Sequence, residues 1–117
     1  MRFFVLMIIL ILASCSTPSP AYYSDMAQCI TDKGVKMYGA FWCPHCAKVK
    51  KAWGDSFQKL DYIECDPRGE NAQTQKCLDD SIEKYATFRR PDGEELCCEP
   101  SPEELAAWVG CEVNVGS

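Results

Sequence analysis

Cys43-Pro44-His45-Cys46 places two thiols three positions apart, directly after the aromatic pair Phe41-Trp42 and the apolar run Val35 to Ala40. Two cysteines at this spacing can cycle between dithiol and disulfide. The thiolate is the nucleophile in disulfide exchange, so one sulfur attacks a partner and the other frees that partner by closing the pair. A strand ending in a tight turn would set Cys43 at the start of a helix, where unpaired backbone amides and the helix dipole stabilise a thiolate. Cys46 would lie one turn inside that helix, placed to resolve the mixed disulfide. The same spacing also has two other readings, a structural disulfide and half of a zinc site. A zinc site of the double-CxxC type needs a second closely spaced pair, which the sequence lacks, and His45 is the single histidine. Cys97-Cys98 could add ligands, but neighbours in a strand point to opposite faces. Neither a metal nor another cofactor is expected.

The flanking segments read as a small α/β unit. A first helix spans about Tyr23 to Lys33, with Met26, Cys29 and Ile30 at helical spacing and Gly34 as its stop. Val35 to Ala40 follows as a strand. From Pro44 to about Phe57, Cys46, Val49, Trp53 and Phe57 form one apolar stripe, while Lys48, Lys50 and Lys51 lie on the outer surface. Leu60 to Cys65 reads as a strand, Asp66-Pro67-Arg68-Gly69 as a turn, and Ala72 to Asp80 as a helix that Asn71 could cap. Strand, helix, strand implies a parallel pair. Thr87 to Arg90 and Glu94 to Cys98 flank Pro91-Asp92-Gly93 as a hairpin. Ser101-Pro102-Glu103-Glu104 is a capping box opening a last helix, with Leu105, Trp108 and Val109 on its apolar face. This order fits an α/β sandwich with a mixed four-stranded sheet.

At the N-terminus, Arg2 precedes the apolar stretch Phe3 to Leu12, which is too short and wrongly flanked for a spanning helix and reads as an export signal. Leu12-Ala13-Ser14-Cys15 resembles the bacterial lipobox, in which cleavage leaves the Cys as the lipidated first residue. The expected organisation is a signal peptide over 1–14, a tether over 15–21 and one folded domain over 22–117. An ordinary signal peptidase site is the alternative, giving a freely secreted chain. The whole sequence carries a net charge of −5, and loss of residues 1–14 removes Arg2 alone. Nucleic acid is therefore not an expected partner. Of nine cysteines, Cys15 aside, eight remain, an even number suited to an oxidising compartment. Cys29 with Cys111 is one conceivable pairing of the first and last helices.

From about Met26 to Gly110 the chain resembles the thioredoxin superfamily, and more closely the thioredoxin-like domain fused to, or encoded beside, bacterial homologues of vitamin K epoxide reductase. The segments that carry the resemblance are Ala27-Gln28-Cys29, Gly34 through Cys46, Glu64-Cys65-Asp66, Asn71-Ala72-Gln73 and Ser101 to Leu105. The resemblance implies a domain that passes disulfides between exported proteins and a membrane-embedded, quinone-linked oxidoreductase, in the periplasm or an equivalent space. It implies Cys43 as the attacking thiol and Cys46 as the resolver, with Trp42 and Pro44 beside them. Pro44-His45 resembles the dipeptide of the strongly oxidising periplasmic enzyme DsbA, where His favours the reduced thiolate, so His45 is expected to modulate rather than catalyse. Cys65 and Cys77 match a family pair that forms a structural disulfide. A shuttle role for that pair is the alternative.

The sequence departs from the family in two places. Tyr85-Ala86-Thr87 stands where relatives read Tyr-Pro-Thr with a cis-proline, and a trans peptide with a reshaped loop is expected, because cis before a residue other than Pro is costly. Cys98 falls where relatives usually carry Gly. Cys97 and Cys98 are candidate accessory thiols, either structural or a further redox or metal-binding pair. Three functions compete: a disulfide oxidoreductase, which the motif favours, a thiol-based metal-binding protein, and a disulfide-stapled binding module without catalysis.

Overall fold

The computed structural model describes residues 19–112; the expected signal peptide and Cys15 lie outside them. The first helix, α1, runs Pro20–Asp32, then β1 Lys36–Gly39 leads into α2 Pro44–Trp53. A 3-10 helix, Gly54–Lys59, connects to β2 Asp61–Glu64, followed by α3 Thr74–Asp79, β3 Thr87–Arg89, β4 Glu95–Cys97 and α4 Pro102–Val109. The strands form one sheet in the order β2-β1-β3-β4, with β1 parallel to β2 and antiparallel to β3, and β4 antiparallel to β3. This is the mixed four-stranded α/β arrangement of a thioredoxin-like domain.

Several boundaries differ from the expected ones, each for a local reason. The tether reading of residues 15–21 fails at its end, because Pro20 occupies the first turn of α1, where its missing N–H costs nothing. The domain thus begins before residue 22. The apolar stripe of α2 ends at Trp53, since Gly54 at φ 57 closes the helix and Phe57 is carried by the 3-10 segment. Asn71 does not cap α3. It sits at φ 53, a conformation Asn tolerates, and Gln73 occupies the cap position instead. Ser101 caps α4, its hydroxyl accepting from the Glu104 amide at 3.1 Å.

Alternation along the strands divides the core in two. Met37 and Phe88 face the larger cluster with Met26 and Ile30 of α1, Cys46, Val49 and Trp53 of α2, and Leu105 of α4. Tyr38, Ile63 and Cys65 point to the opposite face, where Cys77 of α3 and Ile82 cover them. A disulfide spans each layer. Cys29–Cys111 ties α1 to the residue after Gly110, at a Cα–Cα distance of 6.1 Å, and Cys65–Cys77 ties β2 to α3 at 5.7 Å. Cys97 is paired with Cys98. Pleating does not separate these two, because β4 ends at Cys97 and Cys98 already lies outside the strand.

The two long-range bridges close loops of very different length, 82 and 12 residues of separation. In the chain-entropy account, replacing Cys29 and Cys111 together by Ala should lower unfolding free energy by about 4.5 kcal/mol, and replacing Cys65 and Cys77 by about 3 kcal/mol. Unfolding free energies from urea curves, each fitted with its own m-value, check the ranking; the reverse order would mean that denatured-state closure does not dominate.

Candidate active site

β1 ends at Gly39, and the turn over Ala40 to Trp42 leads to Cys43, which occupies the cap position of α2 with extended backbone dihedrals, φ −72 and ψ 123. The Cys43 amide donates to the Ala40 carbonyl at 3.0 Å, closing the turn, and the Ala47 amide donates to the Cys43 carbonyl at 3.0 Å, starting the helix. Pro44 takes the first helical position. Cys43 and Cys46 are the two free cysteines among the described residues. Both are enclosed, Cys43 at 4% exposure and Cys46 at 1%.

Cys46 packs so closely on β1 that a Cβ at Gly39 would lie 2.7 Å from its sulfur. The same Cβ would meet the Tyr62 ring at 3.0 Å and its hydroxyl at 3.4 Å, so sulfur and phenol share the space above Gly39. Burial pushes the Cys46 thiol up to about 12, aided by its hydrogen bond and charge coupling with Cys43, while the Ala40 backbone and Lys50 pull it down. Cys46 is therefore a neutral thiol near neutral pH.

Outside this pair, Phe41 and Trp42 stand 52% and 54% exposed. They are held nonetheless. The Trp42 indole N–H donates to Asp66 Oδ2 at 2.7 Å, Tyr85 meets its ring edge-on at 6.2 Å between centroids, and the Arg68 guanidinium lies 5.8 Å from the Phe41 ring centroid. Arg68 also grips Asp66 through its backbone amide at 2.8 Å and through its side chain at 2.8 and 3.0 Å. Arg68 first, then Trp42, holds the Asp66 carboxyl well below the usual carboxylate range. On the other side of α2, His45 Nδ1 pairs with Glu99, which Lys48 approaches at 3.6 Å. The His45 hydrogen bond lowers the Glu99 carboxyl. Glu99 directly follows Cys98, so the end of the hairpin reaches the motif.

The Tyr85–Ala86 peptide is cis, not trans, and Ala86 is fully buried in the larger core. Cys65 and Cys77 lie on the opposite face of the sheet from Cys46. Among the described residues, no group of three or more His, Cys, Asp or Glu side chains is arranged to hold a metal ion. Sequence reading gave no roles to Tyr62, Glu64, Asp66, Arg68 or Glu99. The signal for two of them was present: Tyr62 and Glu64 alternate with Ile63 and Cys65, which sends them to the face of α2.

No family model matches the chain. It is similar to the thiol-disulfide oxidoreductase LTO1 of Arabidopsis thaliana, 38% identical over 103 residues, which is 85% of this chain and 27% of that protein. The chain thus spans about a quarter of that relative's length. The similarity, together with the fold, supports a thioredoxin-like thiol-oxidoreductase family.

The Cys46 environment has a testable consequence for stability. The unfolded chain releases the thiol proton near the ordinary value of 9.0, whereas the folded chain keeps it to about 12. This contribution is fully present below pH 9 and is lost as pH rises toward 12. Between those limits, urea unfolding of Cys43→Ser should lose stability more steeply with pH than Cys43→Ser/Cys46→Ser. Equal slopes would show that the folded chain does not hold the Cys46 proton.

Proposed function

We propose that this chain is an exported thiol-disulfide oxidoreductase, which exchanges disulfides with protein substrates through Cys43 and Cys46. The observation that carries the reading is the enclosed dithiol at the start of α2, free while the other six described cysteines are paired, and flanked by an exposed aromatic surface. The similarity to a named thiol-disulfide oxidoreductase supports the same chemistry.

In the reducing direction, the Cys43 thiolate attacks a substrate disulfide, one substrate sulfur leaves as thiolate, and a mixed disulfide forms. Cys46 then attacks Cys43, the second substrate sulfur leaves, and the pair is oxidised by two electrons. The oxidising direction runs the same steps in reverse. Phe41, Trp42 and Tyr85 offer an apolar surface beside the sulfurs for an extended partner segment, fixed in place by Asp66 and Arg68. His45 adjoins both cysteines and modulates their poise. Cys65–Cys77 acts as a structural staple.

Export is supported by Arg2 and the apolar run Phe3 to Leu12, and a lipid anchor on Cys15 by the Leu12-Ala13-Ser14-Cys15 motif. The resemblance to domains that accompany vitamin K epoxide reductase homologues supports a membrane-embedded, quinone-linked enzyme as electron partner.

The test is a titration of Cys43-Cys46 in thiol-disulfide buffers, read by mapping alkylated cysteines. A reversible two-electron transition at about −120 to −200 mV is expected for a disulfide donor, and one near −270 mV or below for a reductase. Cys43→Ser should abolish exchange with an unchanged circular dichroism spectrum. Absence of any reversible transition would overturn the proposal.

A further inference from the structure

The bond between Cys97 and Cys98 has no part in the fold comparable to that of the other two bridges. In the chain-entropy account a disulfide stabilises by restricting the unfolded chain, and the gain grows with the loop it closes. Separations of 82 and 12 residues give Cys29–Cys111 and Cys65–Cys77 such a task, whereas a separation of 1 gives almost none. Accessibility differs as well. Cys65, Cys77 and Cys111 are buried, while Cys97 is exposed and Cys98 half-buried. A bridge that solvent reaches and that staples no distant segments is suited to opening and closing.

Its place in the fold brings it to the reactive dithiol. Cys97 pairs with Thr87 across the ladder of β3 and β4, so Cys98 follows level with Ala86. Ala86 packs in the same buried cluster as Cys43 and Cys46. Directly after Cys98, Glu99 reaches His45 inside the motif. Contacts on both sides of Cys98 therefore hold the pair at the edge of the active site. Cys43 is only 4% exposed, and a disulfide carried by the same chain meets it at a far higher effective concentration than one in solution.

We propose that Cys97–Cys98 is a second redox centre, which takes the electron pair from Cys43 and Cys46. This rests on the oxidoreductase reading above. The Cys43 thiolate attacks the Cys98 sulfur, the bond between Cys97 and Cys98 breaks, and Cys97 leaves as thiolate and takes a proton from water. Cys97 is placed to leave. It lines an open depression of about 270 Å³ together with Lys84, whose ammonium favours a thiolate; of the two carboxylates there, Glu83 and Glu95, the second is held by Arg89 at 2.9 Å. The Cys46 sulfur then loses its proton and bonds to Cys43, while Cys98 leaves as thiolate and gains a proton. Cys43 and Cys46 are oxidised by two electrons, Cys97 and Cys98 are reduced by two, and no outside oxidant is consumed. Through exposed Cys97 the reduced pair can pass its electrons to a disulfide in solution, leaving the Phe41-Trp42 surface to the substrate.

Cys46→Ser stops the transfer after its first step. With N-ethylmaleimide added to the folded protein, the released Cys97 thiol is alkylated and the intermediate is trapped. Digestion after Lys, Arg and Glu puts Cys43, Cys98 and Cys111 on separate peptides. The expected product joins Cys43 to Cys98 and carries label on Cys97. It should be lost in Cys43→Ser/Cys46→Ser, where Cys97–Cys98 stays closed. Cys46→Ala is the second variant and should give the same product as Cys46→Ser. Label on Cys43 alone beside an intact Cys97–Cys98 bond, in both variants, would overturn the inference. The reading on which it rests is tested separately by adding oxidised glutathione to Cys46→Ser/Cys97→Ser/Cys98→Ser, where an adduct on Cys43 is expected. Absence of that adduct would overturn the oxidoreductase reading and this inference together.

Discussion

The close approach of α2 to β1 at Gly39 is the constraint on which the site depends. Only a residue without a side chain lets the Cys46 sulfur and the Tyr62 ring occupy the same narrow space. That approach sets the start of α2 against the end of β1 and seals the resolving thiol from solvent. The exposed aromatic residues before Cys43 are then carried outward by the same turn. Burial of one sulfur and exposure of its neighbours are two results of a single packing contact.

Around that contact, charge is arranged to hold apolar groups in place rather than to attract a charged ligand. Asp66 receives Arg68 and the Trp42 indole together, so an exposed tryptophan acquires a fixed orientation from a surface turn. Isolated surface ion pairs contribute little, but a carboxylate bound by two donors of different kinds defines geometry even in water. Glu99 gives His45 a comparable fixed partner on the far side of the helix.

Much of the fold could be read from local chemistry. The Asp92-Gly93 turn, the Ser101 cap and the apolar run from Val35 to Ala40 each depend on neighbours along the chain, and each element formed near its expected place. Helix ends were less legible. The stripe from Cys46 to Phe57 has helical spacing throughout, yet a positive φ at Gly54 breaks it, which spacing alone does not reveal. Asn71 offered a cap by residue type and instead took a left-handed turn. At the site, Cys43 and Cys46 were legible because their chemistry lies within four residues. For Tyr62 and Glu64 only the face was legible, from their alternation with Ile63 and Cys65, while Glu99 carried no signal, since its contact with His45 crosses 54 residues of chain. The Tyr85–Ala86 peptide, expected trans from residue type alone, is cis at a fully buried position.

The disulfide between Cys29 and Cys111 joins the first and last cysteines of the described chain and encloses the reactive pair. During synthesis from the N-terminus, Cys29 becomes available long before its partner exists. Cys43 and Cys46 are the next thiols to follow it. Oxidation in order of appearance would therefore join the first helix to the active centre. Correct maturation requires Cys29 to stay reduced, or to be released from an early pairing, until α4 has been made. A domain proposed to serve disulfide exchange thus has a covalent topology that itself calls for either delayed oxidation of its first thiol or disulfide isomerisation.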